Sequence, residues 1–367
     1  MNSNFFCPGC GQPVRLGLNF CPYCGRDLRA FQPASSAAPQ AQTKAKVSSS
    51  PNLLDSATAQ LNSWTGQRRK VPIQLGSMFS QVFKAHTEAE AETLFIGGTE
   101  KTTPSLATVS DSPVQPWLFT RVLAVFGLTI AILAGSLFIF NGEKMYNGLI
   151  FMSALAVPFS LLIMFFEINT FRNISIFKVT KIFMVGGVAS VLTTMVLYQF
   201  VNIQNMTIVA AILVAIIEET GKLVIIAYYV KRAQAHFILN GLLIGAAIGA
   251  GFAAFETAGY AQDYGLWVLL LRAIDSLGTH TMWGAISGAA LVMVKGAHPL
   301  AANTFQDGRF VRFYALAVSL HALWDMPLPL PSPLKSGVLI AVAWVIVLVL
   351  INAGLREIRE LREGKLT

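Results

Sequence analysis

The chain has 367 residues, of which 54% are hydrophobic and only 13% charged, and its mean hydropathy is +0.57. Soluble domains carry about twice this fraction of charged residues, so the composition excludes a soluble globular protein and predicts an all-α polytopic membrane protein in a lipid bilayer. The formal net charge is +8, but no Lys/Arg stripe with interleaved aromatic residues occurs, so nucleic-acid binding is not expected.

All four cysteines lie in the first 24 residues, in the segment CPGCGQPVRLGLNFCPYCG. Two Cys-x2-Cys pairs can bring four thiolates onto one tetrahedral Zn²⁺ ion, and this clustering argues against a disulfide framework. Because four protein ligands leave no open position, the ion is expected to be structural. We therefore predict a zinc ribbon at residues 1–28, a candidate site for a protein partner, with the ligands Cys7, Cys10, Cys21 and Cys24.

The segment after this module contains few residues that could form a core. Residues 30–63 are rich in Ala, Ser, Gln and Pro, which predicts a flexible linker. The following GSMFSQVFKAHTEAEAETLF favours a short amphipathic helix on the membrane surface or on the protein body, and GGTEKTTPSLATVSDSPVQPW is typical of a loop. Residues 29–116 are thus predicted to be a flexible linker and juxtamembrane segment.

From Trp117 onward the chain contains eight apolar segments, each close to the roughly 20 residues that a bilayer requires. Arg272 and Asp275 interrupt the sixth segment, so its start is expected in a loop or at the membrane interface. A transmembrane domain is predicted at 117–355, followed by a cytoplasmic tail at 356–367. The predicted spans are 118–140, 146–166, 182–201, 207–230, 237–261, 267–294, 310–330 and 336–355.

Basic residues alternate between the connections, which predicts the orientation of the chain. The odd-numbered connections are almost free of them, with Lys144 and Lys335 as the exceptions. Because Lys and Arg accumulate on the cytoplasmic side, both termini are expected in the cytoplasm of a bacterial cell, with a multi-pass domain in its inner membrane. Connections two, four and six and the tail carry Arg172, Lys178, Lys181, Lys231, Arg232, Lys295, Arg309, Arg312, Arg356, Arg359, Arg362 and Lys365.

Ionisable side chains inside membrane spans are candidates for function, because their burial in lipid is costly. Spans four to seven each carry at least one, and counting along continuous helices places Glu218, His280 and His321 near the midplane. By contrast, GAAIGAG (residues 245–251) is interpreted as small residues that allow close helix contact rather than as a nucleotide loop. The candidates are Glu218, Glu219, Glu256, His280, His321 and Asp325, with Lys222 and Phe252 in support.

The spacing of these residues predicts pairs. Residues four apart share a helix face, so Glu218 is expected to contact Lys222, and Asp325 is expected to orient His321. Adjacent Glu218 and Glu219 point about 100° apart, so they should have different roles.

Several chemistries fit this set of residues. A glutamate in an apolar site can activate water while a histidine donates a proton or stabilises an oxyanion, which would give hydrolysis. The same imidazoles and carboxylates could instead hold a catalytic metal, build a proton or ion path, or only fix helix packing. The chain contains no HExxH motif, so the helix of ordinary zinc proteases is absent.

Four motifs on successive spans resemble the PrsW family of intramembrane proteases, which is related to the type II CAAX prenyl endopeptidases. They are EExxK at Glu218–Lys222, FxxxE at Phe252–Glu256, a single histidine at His280, and HxxxD at His321–Asp325. The resemblance covers roughly residues 180–330. FxxxE in place of the FxxxH of the CAAX enzymes argues against a prenylated protein as substrate.

The resemblance implies a peptidase that is either glutamate-dependent or metal-dependent. It implies that Glu218 and Glu219 are the catalytic glutamate pair, and that Glu256, His280, His321 and Asp325 complete the site. The cysteine module, the linker and the additional N-terminal spans depart from the simplest family members, so a particular substrate is not carried over.

The leading hypothesis is therefore an intramembrane peptidase that cuts a membrane protein. Two alternatives remain at the level of the sequence. One is a non-enzymatic membrane sensor or scaffold that recruits partners through the zinc ribbon. The other is a proton-coupled transporter, which the lack of an internal repeat disfavours.

Overall fold

The computed structural model describes residues 4–6, 13–15, 28, 53–67, 69–99, 101–140 and 143–365, in two units divided between residues 50 and 51. In the first unit, strand β1 (Asn4–Phe6) pairs antiparallel with β2 (Pro13–Arg15). The four cysteines of the predicted zinc ribbon lie outside the described residues, so the zinc site stays a prediction.

The second unit begins with three short helices, α1 (Leu53–Trp64), α2 (Leu75–Met78) and α3 (Glu88–Phe95). Helix α1 lies where the composition predicted a flexible linker up to residue 63. It is held by side chains rather than by a core of its own, because the Trp64 ring packs edge-on against Phe313 and Arg356 donates to Thr65. The predicted amphipathic helix is likewise divided into α2 and α3.

Among the described residues, six helices are long and apolar enough to cross a membrane, which confirms the prediction of an all-α polytopic membrane protein. Two of the six are composite, because Ile176–Tyr198 contains a π-helical turn and Trp267–Lys295 contains a break. The spans are α4 (Leu118–Phe140), α5 (Tyr146–Ile168), α6 to α7 (Ile176–Lys181 and Gly187–Tyr198), α9 (Ile238–Tyr264), α10 to α11 (Trp267–Asp275 and His280–Lys295) and α14 (Ser332–Arg362).

The predicted spans four and seven form α8 (Ile208–Arg232) and α13 (Gly308–Asp325). They are not among the six apolar helices, because each carries at least three charged residues. Both pack against α11, and the buried charges of α8, Glu218, Glu219 and Lys222, face protein neighbours. A single turn of 3₁₀ helix (Glu143–Met145) precedes α5, and helix α12 (Ala302–Gln306) precedes α13.

Helices α9 and α11 approach each other at glycines, as the small-residue segment predicted. A Cβ atom at Gly245 would collide with the carbonyl oxygen of Gly284, and one at Gly249 would collide with the carbonyl oxygen of His280. The backbones can therefore approach closely only because these positions lack a side chain. This contact fixes the first residue of α11 against the middle of α9.

The predicted sixth span is not one continuous helix. Helix α10 ends at Asp275 and α11 starts at His280, with non-helical backbone at Thr279 between them. Helix α14 stabilises this break, because the Trp344 indole Nε1–H donates to the carbonyl of Leu277 at 2.9 Å. The break places His280 at the N-terminus of α11, and the depth predicted for this residue stays a prediction.

Candidate functional site

A cavity of about 170 Å³ lies among α7, α8, α9, α10, α11 and α13. The structure brings five of the six predicted catalytic residues to its wall, while their role in catalysis stays a prediction. Those five are Glu218, Glu256, His280, His321 and Asp325. The sixth, Glu219, is fully buried beside the wall, bonded to residues that surround the cavity.

Glu218 presents one carboxylate oxygen that is not used by the protein. Its Oε1 accepts a hydrogen bond from the Tyr198 hydroxyl at 3.1 Å. Its Oε2 is buried and has no hydrogen-bond partner among the described residues. The nearest ionisable atoms are His321 Nε2 at 3.7 Å and Lys222 Nζ at 3.8 Å. A buried acceptor without a partner is costly, so this oxygen is suited to a ligand or a water molecule.

Glu219 is a brace between two other site residues. Its Oε1 accepts from Lys222 Nζ at 2.7 Å and from His321 Nδ1 at 2.8 Å. Lys222 was expected to pair with Glu218, but the shorter contact is with Glu219. The physical reason is that Lys222 also bonds His280, at 2.7 Å to Nδ1, and an ammonium group positioned for this second bond lies closer to Glu219.

A chain of hydrogen bonds defines the protonation of His280. The ammonium of Lys222 can only donate, so Nδ1 of His280 is the acceptor and the ring proton is on Nε2. This Nε2–H donates to Glu256 Oε2 at 3.0 Å. The same carboxylate oxygen is paired with the Arg272 guanidinium. His280 is thus held on both sides, by a cation and by a carboxylate.

His321 is oriented chiefly by Glu219. Its Nδ1–H donates to Glu219, and its Nε2 lies 3.4 Å from Asp325 Oδ2. The predicted pair of His321 with Asp325 exists, but the shorter bond from Nδ1 fixes the ring. The indole of Trp283 stacks on the imidazole, with 4.4 Å between the ring centroids and 22° between the planes. Nε2 therefore points towards two carboxylates of the cavity wall, those of Asp325 and Glu218.

The residues of the cavity wall that the sequence prediction missed include three that contact predicted site residues: Arg272, Tyr198 and Trp283. Phe252 does support the site, since Lys222 Nζ lies 4.2 Å from its ring centroid. Arg272 is itself an intramembrane charge, but it was assigned to a loop or the interface. Tyr198 and Trp283 carry no charge, so no signal distinguished them from other apolar positions.

Glu218, His280 and His321 each offer a ligand atom, and these atoms lie within 4.8 Å of one another. Two imidazoles and a carboxylate form a typical donor set for a catalytic zinc ion or a similar divalent cation. Glu218 Oε2 and His321 Nε2 are available as they stand. His280 would exchange its bond to Lys222 or Glu256 for a bond to the ion.

The formal charges of the cluster also favour a cation. With both histidines counted as neutral, four carboxylates of the cluster face only two cationic side chains, which leaves two formal negative charges beside a fifth carboxylate at the cavity wall, Asp275. Uncompensated charge inside a membrane protein is costly, and a divalent ion would balance it. The residues present therefore fit a metal ion in kind, spacing and charge. The carboxylates are Glu218, Glu219, Glu256 and Asp325, and the cations are Lys222 and Arg272.

Glutamate and histidine side chains that surround a cavity inside a multi-pass helical bundle define an intramembrane hydrolase-like site. Residues 175–351 match the family model described as PrsW family intramembrane metalloprotease. This segment, just under half of the chain, belongs to that family, and the protein is a membrane peptidase, a class that acts on membrane-protein substrates in a lipid bilayer. The matched segment begins just before α6 and includes every residue of the site. No curated protein and no solved structure matches the chain.

Proposed function

We propose that the protein hydrolyses a peptide bond of its membrane-protein substrate in this cavity, with Glu218 as the carboxylate that meets the attacking water. The observation that carries the proposal is the position of Glu218. It lines the cavity, Tyr198 holds one of its oxygens, and the other oxygen has no hydrogen-bond partner among the described residues. Glu219 also has one buried oxygen without a partner, Oε2, but Glu219 does not line the cavity, and its Oε1 accepts from Lys222 and His321.

The proton path follows from the same geometry. Glu218 Oε2 accepts a proton from water while the water oxygen bonds to the scissile carbonyl carbon. The C–N bond then breaks and the amide nitrogen takes up that proton. His321 Nε2 lies between Glu218 Oε2 and Asp325 Oδ2, where it can relay the proton towards the leaving amine. His280 carries its proton on Nε2 at the cavity wall, and we assign it as the donor to the developing oxyanion, for which it would exchange its hydrogen bond to Glu256.

As an alternative to these proton steps, we propose that Glu218, His280 and His321 hold a divalent ion, since atoms that bind the ion cannot also accept or relay the proton. When bound, the ion would supply Lewis-acid polarisation of the scissile carbonyl. Glu219 and Lys222 would keep His321 and His280 in position beside it, as the partners of metal-binding histidines commonly do. Glu218 is required in this arrangement as a ligand and, without the ion, as the base.

The location is part of the proposal: a bacterial inner membrane, with both termini in the cytoplasm. In that orientation α8 starts at the outer side with Ile208, and Glu218 lies about 15 Å along its axis at 1.5 Å per residue. The cavity would then open in the outer half of the bilayer, where the substrate would be cut. A reporter enzyme that works only outside the cytoplasm should be active when it is fused after residue 142 or after residue 205. An inactive fusion at these positions, with a cytoplasmic reporter active there instead, would contradict this orientation.

Glu218→Gln and Glu219→Gln, which preserve shape, separate the two roles. The protein is reconstituted in nanodiscs with a candidate transmembrane substrate, identified because it accumulates in cells that lack the protein. Glu218→Gln should abolish cleavage and leave the unfolding midpoint unchanged. Glu219→Gln should lower both cleavage and stability, since it weakens the bonds to Lys222 and His321. Full cleavage by Glu218→Gln would refute the proposal.

Metal analysis tests the proposed ion separately from the zinc ribbon. A variant with serine in place of all four cysteines removes the predicted ribbon ligands, so it should retain one divalent ion per chain. His321→Ala in that background should remove this ion. A cysteine-free variant that cleaves its substrate with no bound metal would contradict the metal proposal and leave Glu218 as the base.

A further inference from the structure

Arg272 connects helix α10 to one face of α9. Its guanidinium pairs with the Glu256 carboxylate, its Nε donates to Thr257 Oγ1 at 2.9 Å, and its Cζ lies 4.3 Å from the ring centroid of Tyr260. Residues 256, 257 and 260 lie within little more than one helical turn. The side chain lines the cavity and is 21% exposed. A single arginine thus makes an ion pair, a hydrogen bond and a cation–π contact with α9.

The ion pair with Glu256 has a consequence at His280. Glu256 Oε2 receives both the Arg272 guanidinium and the His280 Nε2–H. Arg272 therefore fixes the position of the oxygen that orients His280, and it balances a carboxylate that would otherwise share the cavity wall with Glu218 uncompensated. The planar guanidinium, with several fixed N–H donors, suits this double contact with Glu256 and Thr257 better than an ammonium group would.

Apart from this arginine, α10 is attached mainly by one small apolar cluster, in which Leu269 packs with Ile150, Ala154 and Ala261. Among its nine residues only Leu269 is buried. Leu270 is 71% exposed, and Trp267, Leu271 and Ile274 are also exposed on the membrane-facing side of the helix. A helix with few buried apolar contacts opens at low free-energy cost. The contacts of Arg272 with α9 are accordingly a principal attachment of α10 beside the cavity.

We propose that Arg272 is a positioning residue of the peptidase: it locks Glu256, and through it His280, while fastening α10 to α9 at the cavity wall. This inference rests on the proposed function and assigns to the site a residue outside the four motifs. Arg272 acts through Glu256, so the effect of removing it should appear in the chemical step and in the mobility of α10.

Kinetics on the reconstituted full-length protein test the first part. Arg272→Gln should lower kcat about 10- to 100-fold, the usual effect of losing an outer partner of a site histidine, with KM changed less than threefold. Arg272→Lys should lose less kcat than Arg272→Gln, because lysine keeps the positive charge but lacks the planar guanidinium that contacts Glu256 and Thr257 together. The double variant Glu256→Gln with Arg272→Gln should have a kcat no lower than that of the slower single variant, because both substitutions remove the same ion pair. Leu270→Ala, on the exposed face of the same helix, is the matched control and should resemble wild type.

Hydrogen exchange tests the second part without relying on cleavage. Amides of residues 267–275 should exchange faster in Arg272→Gln than in wild type, and those of α9 and α11 should stay protected. The inference is overturned if Arg272→Gln cleaves like wild type, if its effect and that of Glu256→Gln multiply independently, or if the exchange of α10 is unchanged. Failure of the proposed function looks different, because Glu218→Gln would then cleave like wild type.

Discussion

Lys222 is fully buried and holds two site residues at once, so its removal should be among the most destabilising changes in the domain. Its ammonium donates at 2.7 Å to Glu219 and at 2.7 Å to His280. Lys222→Met keeps the length of the side chain and removes the charge, which leaves the Glu219 carboxylate buried without its cation. Breaking a buried ion pair in this way costs about 3–5 kcal/mol, and we expect a loss of that size in the free energy of unfolding.

Equilibrium unfolding in mixed micelles, followed by circular dichroism, measures this loss. The double variant Glu219→Gln with Lys222→Met should recover part of the stability, because it removes the charge that the single variant leaves unpaired. Lys178→Met, at an exposed position of α6, is the matched control and should change the free energy by less than about 0.5 kcal/mol. A loss below about 1 kcal/mol for Lys222→Met would refute the reasoning, since that is the value of a solvent-exposed pair.

Two further predictions concern the backbone contact at His280 and the segment before the first span. Gly249→Ala should lower cleavage by at least about tenfold, because the new methyl group would collide with the His280 carbonyl and displace this residue. Gly259→Ala, where a Cβ atom meets open space, is the control and should cleave like wild type. A fully active Gly249→Ala variant would contradict the close contact. The hydrogen bond from Arg359 holds the pKa of the Asp111 carboxyl below its usual value. The ionised Asp111 therefore stabilises the fold at pH values above its unfolded pKa, and this stabilisation is lost as the pH falls through its folded pKa. Proteolysis of residues 101–117 should therefore accelerate below about pH 4, Asp111→Asn should show the faster rate already at pH 7, and equal rates at pH 7 would argue against this anchor.

The membrane architecture was predictable because each span depends on the hydrophobicity and length of one continuous segment of the chain, without reference to tertiary contacts. Six of the eight predicted spans are confirmed as apolar helices of sufficient length, and the other two are the helices whose charges belong to the site. The convergence of Glu218, Glu256, His280 and His321 on one cavity was also expected, since charges in spans are retained only where they find partners.

The features of the site that could not be predicted from the sequence depend on tertiary contacts. The position of the break before His280, which Trp344 of α14 stabilises, depends on packing that no local pattern encodes. The predicted contact of Lys222 with Glu218 exists at 3.8 Å, but the shorter bond to Glu219 was missed, because helical spacing allows both i−3 and i−4 partners and His280 on another helix decides between them. Arg272 was visible as a charge, but only the fold shows that it contacts Glu256.

The adjacency of Glu218 and Glu219 acquires a physical explanation from these contacts. A rotation of about 100° between neighbouring helix positions directs the Glu218 carboxylate to the cavity and the Glu219 carboxylate to Lys222 and His321. A carboxylate that must interact with water has to keep an oxygen free, whereas one that fixes a lysine and a histidine must have that oxygen engaged. One residue cannot meet both demands with the same atom, so two consecutive glutamates divide them. Exchanging either for glutamine should consequently impair different properties: hydrolysis alone at 218, and hydrolysis together with stability at 219.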